Sequence, residues 1–236
     1  MIYPLLLCAG AIALFFYVRE KLRAYSLKAV LLKSLTSALF IAVGVYGAWH
    51  SAAAPRAVLC PFVVLGLVFG LMGDIWLDLK YVFPEKDEVF TYAGFCVFGI
   101  GHILFIAGML LAYYPAGRPL WVLVPLGLAV LMSIGNAVLE KPMKLCFGKL
   151  KGTVIAYGVL LFTTVMLSGA LALYCGWRDR PLNLIFAGGL LFALSDLILS
   201  GTYFGTGKDR PVDIILNYLT YYPAQFLIAS SLLFLV

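Results

Sequence analysis

Two aspartates lie inside segments of this chain that are otherwise strongly apolar. Asp74 follows residues 69–73 (FGLMG), and Asp196 follows residues 191–195 (LFALS). A charged side chain at the centre of a bilayer costs about 3 kcal/mol, so such residues usually face the interior of a helix bundle and have a function there. Two carboxyl groups in one cavity suit acid–base chemistry when one keeps its proton and the other is ionised. We therefore predict a functional role or a buried polar network for both aspartates.

Other polar side chains accompany them inside apolar segments. Asp78 lies four residues after Asp74, so a helix would present both on one face. The remaining members of the set are Lys33, His102, Asn136, Tyr157, Ser195, Asn217, Tyr218, Tyr221, Tyr222 and Gln225. Three alternatives stay open: Asp78 could be a solvated helix end, Lys33 could extend to the lipid headgroups, and each tyrosine could serve packing alone.

The composition assigns these residues to a membrane protein. Of the 236 residues, 64% are hydrophobic and 12% are charged, whereas a soluble domain normally carries about 25% charged residues. A soluble fold of this length cannot bury so much apolar surface. The net charge of +6 is then typical of loops that face anionic lipid, and we expect no nucleic-acid partner.

Eight apolar segments are long enough to be transmembrane helices. About 20 helical residues span the roughly 30 Å hydrocarbon core of a bilayer. Charged and proline-rich stretches divide the chain into segments at 2–18, 27–47, 57–79, 90–113, 119–139, 152–175, 182–203 and 211–235. No connection between them is long enough for a soluble domain. The sequence therefore predicts an all-α fold, a polytopic membrane bundle of eight transmembrane helices, in a single transmembrane domain over residues 1–236.

Basic residues in the connections predict the orientation of the helices. Cytoplasmic loops carry an excess of lysine and arginine. Twelve basic residues adjoin the connections after the odd-numbered segments, namely Arg19, Lys21, Arg23, Lys28, Lys80, Lys86, Lys141, Lys144, Lys149, Lys151, Lys208 and Arg210. The other connections carry only Arg56, Arg118, Arg178 and Arg180. We therefore expect the odd-numbered loops in the cytoplasm, both termini outside the cell membrane, and nearly all the intramembrane polar groups in one cavity of the cytoplasmic half.

A short internal repeat relates the segments that carry the two aspartates. Residues 69–77 (FGLMGDIWL) resemble residues 192–199 (FALSDLIL). The two segments are four helices apart, so a duplication of four helices would be parallel, with its axis along the membrane normal. Such a repeat would bring Asp74 and Asp196 to equivalent sites in the two halves of the bundle.

Four segments in order give the chain a family resemblance. They are Gly73-Asp74 followed by Leu77, residues 95–102 ending in Gly101-His102, residues 191–196 (LFALSD), and residues 221–225 (YYPAQ). With these motifs the sequence resembles the YhhN family of lysoplasmalogenase-like membrane proteins along most of its length. Lys33-Ser34-Leu35 is similar to the family's lysine-proline-leucine, but Ser34 stands where the family has proline.

The resemblance implies a hydrolase that cleaves the vinyl ether bond of lysoplasmalogen to a fatty aldehyde and glycerophospho-ethanolamine or -choline. Protonation of the alkene carbon gives an oxocarbenium ion, to which water adds before the hemiacetal collapses. We expect Asp74 and Asp196 to be the acid/base pair, without assigning which is the acid. His102 would be a proton relay or orient the water.

The resemblance also implies a lysophospholipid substrate among the membrane lipids. We expect Lys33 to neutralise a carboxylate or bind the substrate phosphate, and Tyr221 and Gln225 to donate hydrogen bonds. Further candidates for substrate binding are Asp78, Asn136, Tyr157, Ser195, Tyr218 and Tyr222.

Two other functions stay open at the level of the sequence. Carboxylates with one intramembrane histidine could hold a metal ion, although we expect no metal and no cofactor. A proton-coupled transporter or a lipid-binding protein would also have buried aspartates, a lysine and a parallel repeat. The almost uniformly apolar outer half favours an enzyme, because a transporter needs a polar route to both faces.

Overall fold

The computed structural model is an all-α bundle, and it describes residues 2–205 and 210–235. Within these residues there are eight α-helices: α1 (Ile2–Lys21), α2 (Leu27–His50), α3 (Leu59–Val82), α4 (Asp87–Tyr113), α5 (Leu120–Val138), α6 (Lys151–Tyr174), α7 (Arg180–Phe204) and α8 (Pro211–Ser231). Short 3-10 helices occupy Pro84–Lys86, Gly148–Leu150 and Leu232–Phe234. The predicted all-α architecture is confirmed. Lys208, one of the basic residues used for orientation, lies outside the described residues.

Seven of these helices, α1 to α7, are long and apolar enough to cross a membrane. Helix α8 falls short because it concentrates polar side chains, among them Asp213, Asn217, Thr220 and Gln225. It also ends at Ser231, four residues before the predicted end of the last segment. The eighth membrane crossing and the internal repeat stay predictions.

Local sequence explains where several helices begin. Ser26 precedes α2, and its hydroxyl accepts a hydrogen bond from the Ala29 amide at 3.2 Å. Asp179 does the same for α7 by accepting from the Leu182 amide at 3.1 Å. Such caps satisfy amides that have no partner inside the helix. Pro211 opens α8, where the missing N–H of proline costs nothing.

The connections after α1, α3, α5 and α7 meet at one end of the bundle, which we call the basic end. The ring of Tyr25, after α1, stacks on that of Tyr81 in α3 with centroids 4.5 Å apart. Tyr81 in turn packs against Tyr203 near the end of α7. Leu145, after α5, forms a β-bridge with Gly205, after α7. The alternation of helix direction predicted from the loops is therefore present in the fold.

At the opposite end of the bundle, the Asp179 side chain contacts residues from other connections and helix ends. Besides capping α7, its carboxylate lies 2.5 Å from Arg56 of the α2–α3 connection. It also accepts a hydrogen bond from the Tyr113 hydroxyl at the end of α4, at 3.1 Å. Ser51 adds a hydrogen bond of 2.6 Å to the Leu232 carbonyl after α8. These contacts hold the ends of α2, α4, α7 and α8 in one place.

Close packing of α7 on α8 depends on Gly188. A Cβ atom at this position would lie 2.8 Å from the Ala224 carbonyl oxygen and 2.8 Å from Ile228. The carbonyl belongs to the backbone of α8 and cannot rotate away. Small residues at helix contacts let the backbones approach in this manner.

We predict that Gly188→Ala destabilises the bundle by about 1–3 kcal/mol, because the added methyl group forces α7 away from α8. Gly127→Ala in α5 is the matched control, since a Cβ atom at that position meets nothing within 4 Å. The control should be neutral or slightly stabilising, because alanine favours the helix by about 1 kcal/mol over glycine. The measurement is the unfolding temperature of each purified variant in detergent. Equal unfolding temperatures would contradict the close α7–α8 contact.

Candidate active site

A cavity lies between the helices in the half of the bundle nearest the basic end. It encloses about 850 Å³, its opening included. The two aspartates both line it, Asp74 from α3 and Asp196 from α7. Seven further members of the polar set from the sequence also line it: Lys33, Asn136, Tyr157, Ser195, Asn217, Tyr218 and Tyr221. The fold therefore brings nine of the thirteen polar residues to one cavity.

Asp74 is held by three side chains from two other helices. Its Oδ2 accepts hydrogen bonds from the Ser37 hydroxyl at 2.6 Å and from the Tyr221 hydroxyl at 2.8 Å. Its Oδ1 lies 3.3 Å from Nζ of Lys33. Only 2% of the residue is exposed. An ionised carboxylate is an acceptor at both oxygens, and every partner of Asp74 is a donor.

Lys33 is shared between two carboxylates. Its Nζ lies 3.3 Å from Oδ1 of Asp74 and also 3.3 Å from Oδ1 of Asp78. Asp78 has a second cation, because Nζ of Lys21 lies 2.8 Å from the same oxygen. All four side chains are almost completely buried. We call Lys21, Lys33, Asp74 and Asp78 the ion cluster; two positive and two negative charges make it neutral.

The ion cluster decides two alternatives that the sequence left open and corrects one expectation. Asp78 is buried within the bundle and is not a solvated helix end. Lys33 points to the two aspartates instead of extending to the headgroups. Lys21, which we placed with the basic residues of the loop, is the last residue of α1 and is 5% exposed. A lysine at a helix end turns inward when a buried carboxylate offers a partner, because an unpaired buried charge is costly.

Tyrosines surround the ion cluster. The Tyr17 hydroxyl donates to Oδ2 of Asp78 at 3.0 Å. Its ring packs edge-on against Tyr218, with centroids 4.8 Å apart. The Tyr222 hydroxyl lies 3.4 Å from the Lys33 carbonyl oxygen, to which it donates, and 3.5 Å from the Ser37 hydroxyl. Tyr17 thus gives Asp78 a hydrogen bond, and the ring of Tyr218 packs beside the Lys33 ammonium group, 5.5 Å from Nζ.

Asp196 has a different environment. Its Oδ2 accepts a short hydrogen bond from the Tyr157 hydroxyl of α6. Among the residues that the structure describes, no lysine, arginine or histidine lies within 4 Å of its carboxyl oxygens. Ser200, one turn later on α7, also lines the cavity, and its buried hydroxyl has no partner in the described residues. This side of the cavity has polar groups available to a bound molecule.

His102 lies behind the cavity wall. Its Nδ1 is 3.0 Å from the Thr164 hydroxyl, which itself donates to the Leu160 carbonyl. Nδ1 therefore carries the proton in this contact, and Nε2 is buried without a partner in the described residues. The His102 ring packs against that of Tyr157, with centroids 5.7 Å apart. His102 thus contacts the partner of Asp196 and contacts neither aspartate, so its predicted relay role stays a prediction.

Two side chains of α8, Gln225 and Asn217, donate hydrogen bonds to residues that line the cavity. Gln225 donates from Nε2 to the Tyr221 hydroxyl at 3.1 Å, and the Tyr221 hydroxyl in turn donates a hydrogen bond to Asp74. Asn217 donates to both the carbonyl and the hydroxyl oxygen of Ser195, at 2.9 and 3.0 Å. These bonds connect α8 to α7 beside Asp196. Gln225 therefore acts on the cavity through Tyr221.

Four candidate residues do not line the cavity: Asp78, His102, Tyr222 and Gln225. Conversely, the sequence did not reveal Tyr17, Lys21 or Ser37 as members of the site. Tyr17 and Lys21 are spaced i and i+4 at the end of an apolar helix, a spacing that places both side chains on the same face of the helix.

Within the described part of the chain, no three histidine, cysteine, aspartate or glutamate side chains come together as metal ligands.

Comparison with known proteins identifies the family of this chain. The family model described as YhhN family matches residues 28–232. The match runs from the start of α2 to the end of α8 and includes every candidate residue of the cavity; Tyr17 and Lys21 precede it. Neither the curated proteins nor the solved structures give a match. Because the matched segment covers most of the chain, this protein belongs to the YhhN family.

Proposed function

We propose that the protein is a membrane-embedded hydrolase that cleaves the vinyl ether bond of lysoplasmalogen. The products would be a fatty aldehyde and glycerophospho-ethanolamine or -choline. Membership of the YhhN family is consistent with a membrane hydrolase. The observation that carries the proposal is that Asp74 and Asp196 line one cavity in different surroundings. Acid-catalysed cleavage of an enol ether needs a proton donor and an anion in the same place.

The different surroundings of the two aspartates support different roles for them in the reaction. Asp74 accepts from three donors, one of them the Lys33 ammonium group, so it is suited to remain ionised. Asp196 has a neutral tyrosine as its hydrogen-bond partner. Asp196 is half-buried at this largely apolar cavity, and a carboxyl group removed from water without a cation beside it favours its protonated form. We therefore assign Asp196 as the acid and Asp74 as the anion that stabilises the oxocarbenium ion.

The proposed reaction conserves protons over one turnover. The Asp196 carboxyl group protonates the alkene carbon farther from the ether oxygen, leaving the adjacent carbon and that oxygen with the positive charge. Water then adds to this carbon and returns a proton to the Asp196 carboxylate. The hemiacetal collapses as its hydroxyl proton moves to the glycerol oxygen, which leaves as an alcohol while the aldehyde forms. Asp74 stays ionised throughout.

Polar groups around the cavity would place the substrate and the water. Ser200 and Asn136 offer hydrogen-bonding groups between Asp196 and the basic end, where a glycerophospho headgroup would lie, and Ser195 lines the cavity next to Asp196. Lys33 is already balanced by two carboxylates, so we propose that it holds Asp74 in place instead of binding the phosphate. His102 would influence Asp196 through Tyr157, which it contacts.

The location of the cavity supports an enzyme over a transporter. Its lining residues occupy the basic half of each helix, for example 154–162 of α6 and 193–204 of α7. The proposed orientation, with the basic end in the cytoplasm and both termini outside the cell membrane, would open this cavity toward the cytoplasmic leaflet. A lysophospholipid in that leaflet could enter with its headgroup still near the membrane surface.

Helix packing also supports the proposed parallel repeat. A parallel repeat of four helices relates α1 to α5, α2 to α6, α3 to α7 and α4 to α8. Under this relation the α2–α8 contact corresponds to α6–α4, and the α3–α4 contact corresponds to α7–α8. All four of these pairs pack against each other. Under this relation Asp74 of α3 and Asp196 of α7 are equivalent positions whose surroundings have diverged.

We predict that Asp74→Asn and Asp196→Asn each lower turnover of lysoplasmalogen about 10²- to 10⁴-fold, because each removes one partner of the acid–anion pair. The measurement is release of fatty aldehyde by purified protein in detergent. Glu88→Gln is the control, since Glu88 is an exposed carboxylate at the start of α4 and does not line the cavity. Full turnover in both aspartate variants would refute the assignment.

We predict that Asp78→Asn destabilises the protein by about 3–5 kcal/mol, because buried Lys21 then loses its carboxylate partner and Lys33 keeps only Asp74. The double variant Lys21→Met/Asp78→Asn removes one charge of each sign and should recover part of the lost unfolding temperature. Thermal unfolding in detergent measures the coupling between the two substitutions. Additive losses in the double variant would show that charge balance is not what stabilises the cluster.

A further inference from the structure

A second cavity lies between α5, α6 and α7, nearer the opposite end of the bundle. It encloses about 1030 Å³, its opening included. All twelve residues that line it are apolar or aromatic, and none is charged. Several of its wall residues are accessible from the membrane side, among them Leu128 and Leu190 at 46% exposure each. The function proposed above makes no use of this cavity.

The two cavities share the same faces of α6 and α7. On α6, Gly158 and Phe162 line the first cavity, and Met166 and Ala170 line the second. These four positions are spaced by four residues, so they form one stripe along a helix. The second cavity therefore begins about one turn beyond the first along α6.

Helix α7 shows the same succession of lining residues, and α5 contributes to both cavities. On α7, Leu197 and Ala193 line the first cavity, and Leu190 and Phe186 line the second, with spacings of four, three and four residues. On α5, Asn136 lines the first cavity and residues 120–128 contribute to the second, while residues 129–135 line neither. Along α6 and α7 the second cavity thus follows the first within about one turn, and we call the two cavities together the trough.

Aromatic side chains lie at the far end of the trough, where Trp177 is 47% exposed. Trp177 lines it and packs against Phe186, with ring centroids 5.6 Å apart. Its backbone has a positive φ of 60°, a conformation that a bulky residue rarely adopts. The Trp177 amide donates to the Ala172 carbonyl at 2.8 Å, and its carbonyl accepts from Asn183 at 2.8 Å. Local bonds therefore hold this indole in an unfavourable backbone geometry at the end of the trough.

The length of the trough fits a single long hydrocarbon chain. From Gly158 to Leu173 the floor on α6 measures roughly 22 Å, at about 1.5 Å per helical residue. One leaflet of the hydrocarbon core is only about 15 Å thick. The trough is therefore longer than one leaflet is deep, so a chain that starts near Asp196 would extend past the middle of the bilayer before it reaches Trp177.

We propose that the trough binds the hydrocarbon chain of an amphiphile whose polar end occupies the first cavity, with Trp177 limiting the chain length. The occupant is one chain of a lysolipid, because the trough has polar groups at one end only, in the first cavity, and apolar walls in the second. The identity of the polar end rests on the proposed function; the hydrocarbon site does not.

The first experiment compares chain lengths in two variants of α7. Leu190 lines the trough and is 46% exposed, whereas Leu194, one turn away and 47% exposed, lines neither cavity. In Leu190→Trp the indole would obstruct the trough, so we expect kcat/KM for a hexadecenyl lysoplasmalogen to fall about tenfold through lost methylene contacts. Turnover of a hexenyl analogue should be unchanged, and Leu194→Trp should affect neither substrate. Equal effects on both chain lengths, no effect, or the same loss in Leu194→Trp would overturn the proposal.

The second experiment does not depend on turnover. The probe is a non-cleavable hexadecyl ether of lysophosphoethanolamine with a diazirine at the methyl end of its chain. Photolysis should label the trough, in peptides that contain residues 120–128 and 166–173. Labelling spread over other membrane-facing residues such as Leu111, or equal displacement of the probe by a diacyl phospholipid, would overturn the proposal. Failure of the wild-type protein to release aldehyde would refute the proposed function alone and leave this labelling pattern readable.

Discussion

Neutrality of buried charge is the constraint on which this bundle depends. Lys21 of α1, Lys33 of α2, and Asp74 and Asp78 of α3 lie in contact with almost no exposure. Removing such groups from water is expensive, and the expense is recovered only when each charge has partners at hydrogen-bond distance. Three helices must therefore meet at fixed depths and rotations for the ion cluster to form. The position of Asp74 at the cavity is a consequence of this arrangement.

Helix α8 completes the arrangement because it supplies hydrogen bonds where the other helices supply charge. Tyr221 donates to Asp74, and Gln225 donates to Tyr221. Asn217 binds Ser195 on α7, next to Asp196. The same polar residues make α8 the least apolar of the eight described helices, so the feature that sets α8 apart from the seven helices apolar enough to cross a membrane is also what connects the two sides of the cavity.

The two aspartates at the cavity have different surroundings. Asp74 belongs to a neutral cluster with a cation and two hydroxyl donors, whereas Asp196 faces one tyrosine. Two identical side chains can have opposite roles in one reaction when their surroundings differ in this way. The proposed cleavage of a vinyl ether uses this difference. The two ends of the trough also differ in their surroundings, since polar groups lie at one end and hydrocarbon surfaces at the other, as the two ends of the proposed substrate require.

The sequence alone was sufficient for the helices, whose predicted bounds lie within four residues of the observed ones. Helix position follows from local quantities, namely the length of an apolar run and the charges that end it. The sequence also identified Asp74, Asp196 and most of the polar residues at their cavity, because a polar residue in an apolar segment is conspicuous wherever it points. Depth along a helix follows directly from residue number, which is why these groups were correctly assigned to one half of the bundle.

Only the tertiary structure decided which side chains are partners. Lys21 reads as a loop residue until α1 is placed beside α3, and Ser37 reads as an ordinary packing residue until it meets Asp74. His102 looks like a relay in the sequence, yet its hydrogen bond goes to Thr164. The trough is likewise invisible in any single helix, because it is the space between α5 and α7. Rotation and neighbours are set by packing among distant segments, and residue number does not encode them.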